Sequence, residues 1–257
     1  MTNIELDFTD VSSVPSEPLG KKQHGVESFN AIDAGTSTWL FTQVRTDFTA
    51  ETARFSVIEV LWQYGCPMQV TSSPRSPLDR GPTDAHVSLR RMSRMLLCLG
   101  ITPRICPPRR PDKKPFVERL HRTLQEECLL LQHPQTPEAA QEVSEQFRQH
   151  YNQERPHQGK ACGNVPPQTA FPILPTLPPL PARIDPDRWL SRVQGRAYAR
   201  KVNKDGRVII DDEYYYIKQS LAGQNVVLTV NAEEQVFEVR WKNSIIRRLP
   251  KRRAGRP

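Results

Sequence analysis

Ile4-Glu5-Leu6-Asp7-Phe8 alternates apolar and polar side chains, as a strand with one buried face does. Two further strand-like runs cover residues 26–33 and 39–45, separated by the turn chemistry of Ala34-Gly35-Thr36-Ser37. The period then changes. Thr49 reads as an N-cap, Ala53, Val57, Val60, Leu61 and Tyr64 fall at helical spacing, and Gly65 ends the helix. A short strand is expected over 68–73, followed by a loop rich in Pro, Ser, Arg and Gly to Asp84. Leu89, Met92, Leu96 and Leu99 mark a second helix, stopped by Gly100, and 101–106 a strand ending at Pro107-Pro108. Residues 115–131 read as a helix, with Pro115 acceptable at its start. Thr136-Pro137-Glu138 opens another, whose apolar face is Ala140, Val143, Phe147 and Tyr151. Strands followed by alternating strands and helices predict a mixed sheet covered by helices.

The pattern changes again near residue 172. Six prolines between 172 and 186 predict a stiff linker. Beyond it, short strand-like runs cover 196–202, 208–210, 214–217, 226–230, 236–241 and 245–249, with Asp205-Gly206 as a hairpin signal. They predict a small all-β barrel. The expected organisation is a core over 1–172, a linker over 173–186, a β domain over 187–250 and a basic tail over 251–257. Tyr214 and Tyr216 are expected on one face of their strand and Tyr215 on the other. Trp189 and Trp241 are expected to pack within the small domain.

Composition narrows the setting. No run of eighteen apolar residues is present, so no membrane span is predicted, and the N-terminus lacks the features of a signal peptide. Five scattered cysteines (Cys66, Cys98, Cys106, Cys128, Cys162) form no CxxC pair, which argues against a zinc ribbon and fits a reducing, cytoplasmic compartment. The formal net charge is +8. Residues 240–257 hold eight basic residues (Arg240, Lys242, Arg247, Arg248, Lys251, Arg252, Arg253, Arg256) and no acidic ones, so residues 1–239 balance at 28 basic and 28 acidic. Such a cluster can neutralise phosphates and release counterions.

Two acids stand out. Asp7 lies between Leu6 and Phe8 on a strand, where an unused carboxylate is costly to bury. Glu118 lies on a predicted helix, with His121, Arg122 and Gln125 along the same edge and Arg119 beside it. Phosphodiester chemistry with two metal ions requires such carboxylates to converge from separate elements. Arg109, Arg110, Lys113 and Lys114 precede that helix and are expected, with Arg119 and Arg122, to lie beside a DNA backbone. Arg247, Arg248, Lys251, Arg252 and Arg253 form the tail's expected DNA contacts. His157 is expected to be a structural hydrogen-bonding residue.

The run Arg110-Pro111-Asp112-Lys113-Lys114-Pro115-Phe116-Val117-Glu118-Arg119-Leu120-His121-Arg122-Thr123-Leu124-Gln125-Glu126-Glu127-Cys128 resembles the signature around the last acidic residue of bacterial insertion-sequence transposases with a retroviral-integrase-type core. Tyr151-Asn152-Gln153-Glu154-Arg155-Pro156-His157-Gln158 and Pro166-Pro167-Gln168-Thr169-Ala170-Phe171 are similar to that family too. Leu6-Asp7-Phe8, Asn30 to Gly35 and Asp47 to Thr52 match it in order. The resemblance covers residues 4–172 and, more loosely, the C-terminal strands. It implies an RNase H-like fold with a five-stranded mixed sheet, an SH3-like barrel after it, an Asp-Asp-Glu triad, Mg²⁺ or Mn²⁺ as cofactor, and DNA as partner. It also implies homo-oligomers on DNA and strand cleavage and transfer in transposition.

Under this resemblance Asp7 is the first acid of the triad and Glu118 the last. The second belongs at position 73, where this chain has Ser73, with 65 residues between it and Asp7 and 44 between it and Glu118. A serine removes a charge and a bridging carboxylate oxygen, which weakens or abolishes metal binding. Asp79 and Asp84 could replace it only if their loop folds back. The family also carries a helix-turn-helix region before the core, whereas here the first acid is residue 7. The expectation is an N-terminally truncated transposase core, with a catalytically inactive DNA-binding or self-associating remnant as the alternative.

Overall fold

The computed structural model describes residues 1–11, 25–73, 91–107, 110–210 and 213–251. Asp79, Asp84, Arg109, Arg252 and Arg253 lie outside the described residues, as does Leu89 of the second predicted helix. The chain divides into two compact units, Met1–Ala85 with Gly100–Ala182, and His86–Leu99 with Arg183–Pro257.

The first unit is built on β1 (Asn3–Asp10), β2 (Glu27–Asp33), β3 (Trp39–Arg45), β4 (Gln69–Ser72) and β5 (Thr102–Ile105). Their order is β3-β2-β1-β4-β5. β1 runs antiparallel to β2 and parallel to β4, and β4 runs parallel to β5. This is the expected five-stranded mixed sheet. Each strand lies within two residues of its predicted place, because alternating burial fixes which residues can pair.

Helix α1 (Ala50–Tyr64) starts where Thr49 predicts. The Thr49 hydroxyl accepts from the backbone of Glu51 and Thr52, and the Thr52 hydroxyl caps in return. Gly65 ends the helix at φ 93°, and a Cβ there would come within 2.7 Å of the Pro178 carbonyl oxygen, so glycine is required twice over. Ala53, Ser56, Val57, Val60 and Leu61 face inward, while Phe55, Ile58 and Trp62 are exposed.

The predicted 115–131 helix is α3 (Pro115–Leu124), continued by a π-helical turn over Gln125–Leu129 and the short α4 (Leu130–Gln132). Helix α5 (Pro137–Gln153) opens on Thr136, whose hydroxyl accepts from Ala139 N at 3.1 Å. Val117, Leu120 and Leu124 of α3 join Ala140 and Tyr151 of α5 and Ile32, Trp39 and Val44 of the sheet in one core cluster. Val44 faces that cluster, whereas Gln43 next to it accepts from Ser56 of α1 at 2.6 Å. Neighbouring strand residues point to opposite faces, so α1 covers one face and α3 with α5 the other. The short α6 (Pro167–Ala170) packs on α5.

The second unit contains α2 (Arg91–Cys98), α7 (Arg188–Arg192) and six strands: β6 (Ala197–Lys201), β7 (Arg207–Ile210), β8 (Glu213–Tyr216), β9 (Asn225–Asn231), β10 (Val236–Trp241) and β11 (Ser244–Pro250). All six predicted strands are present. They form a four-stranded sheet in the order β11-β10-β9-β6 and a separate β7-β8 ribbon, an arrangement without closed pairing among the described residues. One local expectation changes. Asp205-Gly206 does make a tight turn, with Gly206 at φ 71° and the Asn203 side chain accepting from Asp205 N and Arg207 N. The strands it joins do not pair: β6 takes β9 and β7 takes β8.

Helix α2 packs in this unit, with Leu97 and Cys98 in a cluster around Trp189, Leu228, Phe237 and Val239. The strand period held for the tyrosines: Tyr215 is buried, while Tyr214 and Tyr216 are exposed. Trp189 is in the core and Trp241 packs against it. All five cysteines are free thiols. Among the described residues no helix is long and apolar enough to cross a membrane.

Candidate functional site

Side-chain alternation sends Glu5 and Asp7 of β1 to the face that α3 covers. Glu5 is buried, and its Oε2 accepts from the backbone of Phe116 and Val117, each at 3.0 Å. These are two of the free N–H groups at the start of α3, so a carboxylate from the central strand caps the helix and meets its positive end. Burial pushes the Glu5 carboxyl up, and the two N–H groups act against that shift. Glu5 was missed as a candidate, although its i,i+2 spacing from Asp7 on an alternating strand was the available signal.

Two residues along, Asp7 is 8% exposed. The Lys114 Nζ donates to its Oδ2 and also to Glu118 Oε1 at 2.5 Å. Asp7 and Glu118, 111 positions apart in sequence, are thereby joined through one ammonium. Burial pushes the Asp7 carboxyl up, and Lys114 pulls against it. Burial also pulls Lys114 down, but Asp7 and Glu118 outweigh it and hold the ammonium above its ordinary value. The second direction decides the site, because a charged lysine keeps the two carboxylates together.

Ser73 follows β4 directly. The β1–β4 ladder ends with Leu6 opposite Ser72, so Asp7 and Ser73 are the next residues of two adjacent parallel strands. The three positions singled out in the sequence therefore belong to neighbouring elements of one unit, and Ser73 brings no charge among them. Among the described residues, no group of three or more His, Cys, Asp or Glu side chains could hold a metal ion. With Ser73 neutral and an ammonium between Asp7 and Glu118, the described residues do not fit the magnesium pair that the resemblance implied.

His121, one turn after Glu118, is buried with Nε2 unpaired among the described residues. Burial, with Lys114 adding to it, pushes its pKa down to about 3, so it is a neutral imidazole.

The expected DNA-contacting residues separate into groups. Lys114 is buried and turned to the acids, contrary to its expected place beside a DNA backbone. The reason is local. A residue before proline is kept out of the helical region, and Lys114 at φ −142° and ψ 59° turns back toward β1. Arg110 forms a two-pronged ion pair with Asp112, and Lys113 approaches the same carboxylate at 3.5 Å. Arg119 and Arg122 are exposed on α3. In the second unit, Arg247 lies over the Tyr216 ring and donates to the Ile217 carbonyl. Arg248 pairs with Glu234 and Glu238, and Lys251 with Asp187.

The Tyr151–His157 motif is structural. Asn152 Oδ1 accepts from Trp39 N and its Nδ2 donates to Trp39 O, each at 2.9 Å, which completes the backbone of edge strand β3. Arg155 grips Glu127 with two hydrogen bonds. His157 is buried against Tyr151, with ring centroids 4.8 Å apart, and its Nε2 has no hydrogen-bond partner among the described residues, so it packs there instead of making the side-chain hydrogen bond expected of it.

Residues 99–167 match a family model described as integrase core domain. That span includes Lys114, Glu118 and the Tyr151–His157 motif, and excludes Asp7 and Ser73. Among solved structures, the chain is similar to the HTLV-2 integrase catalytic core domain in complex with magnesium, in its trimeric form. That pair shares 12% identity with a TM-score of 0.42, covering 65% of this chain and 94% of the other. It is similar also to the simian T-cell lymphotropic virus intasome in complex with PP2A regulatory subunit B56 gamma, at 13% identity and a TM-score of 0.46, covering 96% and 75%. No curated protein gives a significant match. What the comparisons show is confined to one segment: residues 99–167, which carry Lys114 and Glu118, are similar to an integrase core domain.

Proposed function

We propose that this chain acts on DNA as a transposase or integrase core whose strand-cutting site is incomplete, so that it holds DNA without cutting it. One observation carries the reading. Asp7 and Glu118 converge at one end of the sheet, and the strand end beside Asp7 carries the neutral Ser73. Two carboxylates around an ammonium give a lower net negative charge than three, and the attraction for divalent cations falls with it. Exposed Arg119 and Arg122 on the same helix as Glu118 supply positive charge for a phosphate backbone.

The test uses the purified chain with duplex oligonucleotides, in Mg²⁺, Mn²⁺ and chelator. The parent is expected to retard DNA without nicking or joining strands. Ser73→Asp, which restores the third carboxylate, is expected to give metal-dependent nicking. Robust cutting by the parent overturns the reading, and Asp79→Asn and Asp84→Asn in that parent would then identify a substitute acid. Failure to bind DNA overturns it as well.

A further inference from the structure

Lys114 has an unusual place for a lysine in a basic segment. Arg110 and Lys113 reach outward to Asp112, whereas Lys114 is 5% exposed and enclosed. Pro115 fixes its backbone as the last non-helical residue before α3, and Glu118 follows one helical turn later. The ammonium therefore bridges one acid of its own helix and one of the central strand. An ammonium is a compact point charge with three donors, and here it carries the charge that two facing carboxylates need. A divalent ion bound by Asp7 and Glu118 would have to enter the same gap and displace it.

We infer that Lys114 is the resident cation of this site: it takes the position between Asp7 and Glu118 that a divalent ion would need, and makes the docking of α3 on β1 independent of metal. The inference rests on reading Asp7 and Glu118 as the site's acidic pair, as in the proposed function. It requires nothing of DNA binding or cutting. Removing the lysine leaves two partly buried carboxylates facing each other with no cation between them, a costly arrangement unless another cation enters.

Thermal unfolding and Mn²⁺ titration test this without DNA. The melting temperature of the parent is expected to move by less than about 1 °C between chelator and about 10 mM MnCl₂. Lys114→Met is expected to melt roughly 5–10 °C lower in chelator and to recover several degrees of that loss in Mn²⁺. In the Ser73→Asp background, adding Lys114→Met is expected to tighten Mn²⁺ binding, read by spin resonance of the free ion, by about tenfold or more. Lys114→Gln replaces Lys114→Met where the latter does not fold. The inference is overturned by a parent stabilised by Mn²⁺ as strongly as the lysine-free variant. It is equally overturned by a lysine-free variant as stable as the parent in chelator, or by Mn²⁺ affinity that does not rise when the lysine is removed. A parent that cuts DNA but shows no Mn²⁺ response would sink the proposed function and leave this inference standing.

Discussion

Asn152 and His157 show how a sequence motif can serve structure close to a candidate site. Asn152 pairs with both backbone groups of Trp39, which is fully buried, so Asn152→Ala would leave the Trp39 N–H without its partner and the carbonyl with Arg148 Nη1 at 3.3 Å. The expected loss is about 1–3 kcal/mol in denaturant unfolding, whereas a loss under half a kcal/mol would mean that water replaces the amide easily. His157 is buried, and its pKa is pushed down to about 4 by burial, with Arg155 and Arg119 adding to it. A histidine depressed in the fold is neutral there but takes a proton in the unfolded chain below about pH 6.5. Stability is therefore complete above that pH and falls on acidification until the folded pKa near 4 is reached. His121, at about 3, adds a parallel loss that continues lower. Between pH 6 and 4.5 the summed slope is expected to be about 2–3 kcal/mol per pH unit, and His157→Gln to remove roughly half of it. Unfolding free energies measured across that range decide it.

At the scale of elements, one helix on each face of the sheet shows how its start is fixed. Helix α1 is capped from its own sequence by Thr49 and Thr52, and Thr49→Ala is expected to cost about 1 kcal/mol. Helix α3 is capped from a distant strand. Its N-cap residue, Lys114, makes no side-chain cap, and Glu5 supplies the acceptor across 111 and 112 positions. Glu5→Ala is expected to cost more than the Thr49 change, about 2–3 kcal/mol, since it strips a charged acceptor from two N–H groups. Chemical denaturation of the two variants side by side checks the order. The Thr49 cap was legible because donor and acceptor lie within three residues. The Glu5 cap was not, because nothing local relates position 5 to position 116. The Asp205-Gly206 turn makes the same point in reverse. Its local chemistry was read correctly, but longer-range pairing of β6 with β9 decided which strands it joined.

For the whole molecule, the relevant quantity is how charge is distributed and how much of it is already used. The +8 formal charge lies at the C-terminal end in sequence, but Arg248 and Lys251 there are engaged with acids of their own unit. Removing residues 252–257 deletes Arg252, Arg253 and Arg256 and spares β11, whose Leu249 is buried. If those three arginines contact phosphate, the slope of log affinity for duplex DNA against log salt should become shallower by about 2–3 units. An unchanged slope would assign DNA contact to the core instead, where Arg119 and Arg122 are exposed. Binding titrations from about 50 to 200 mM salt resolve the two.

The sequence alone determined the elements, most of their limits and a mixed sheet covered by helices, because period, capping and turn chemistry act over a few residues. It also named Asp7, Ser73 and Glu118, since motif order along the chain was enough to align them. Only the tertiary structure decided what stands between the two acids. Lys114 looked like one more base in a basic loop, and its inward turn depends on Pro115 behind it and on an acid 107 positions away. A buried ammonium is stable only where carboxylates enclose it, and that enclosure exists only once β1 and α3 have packed together.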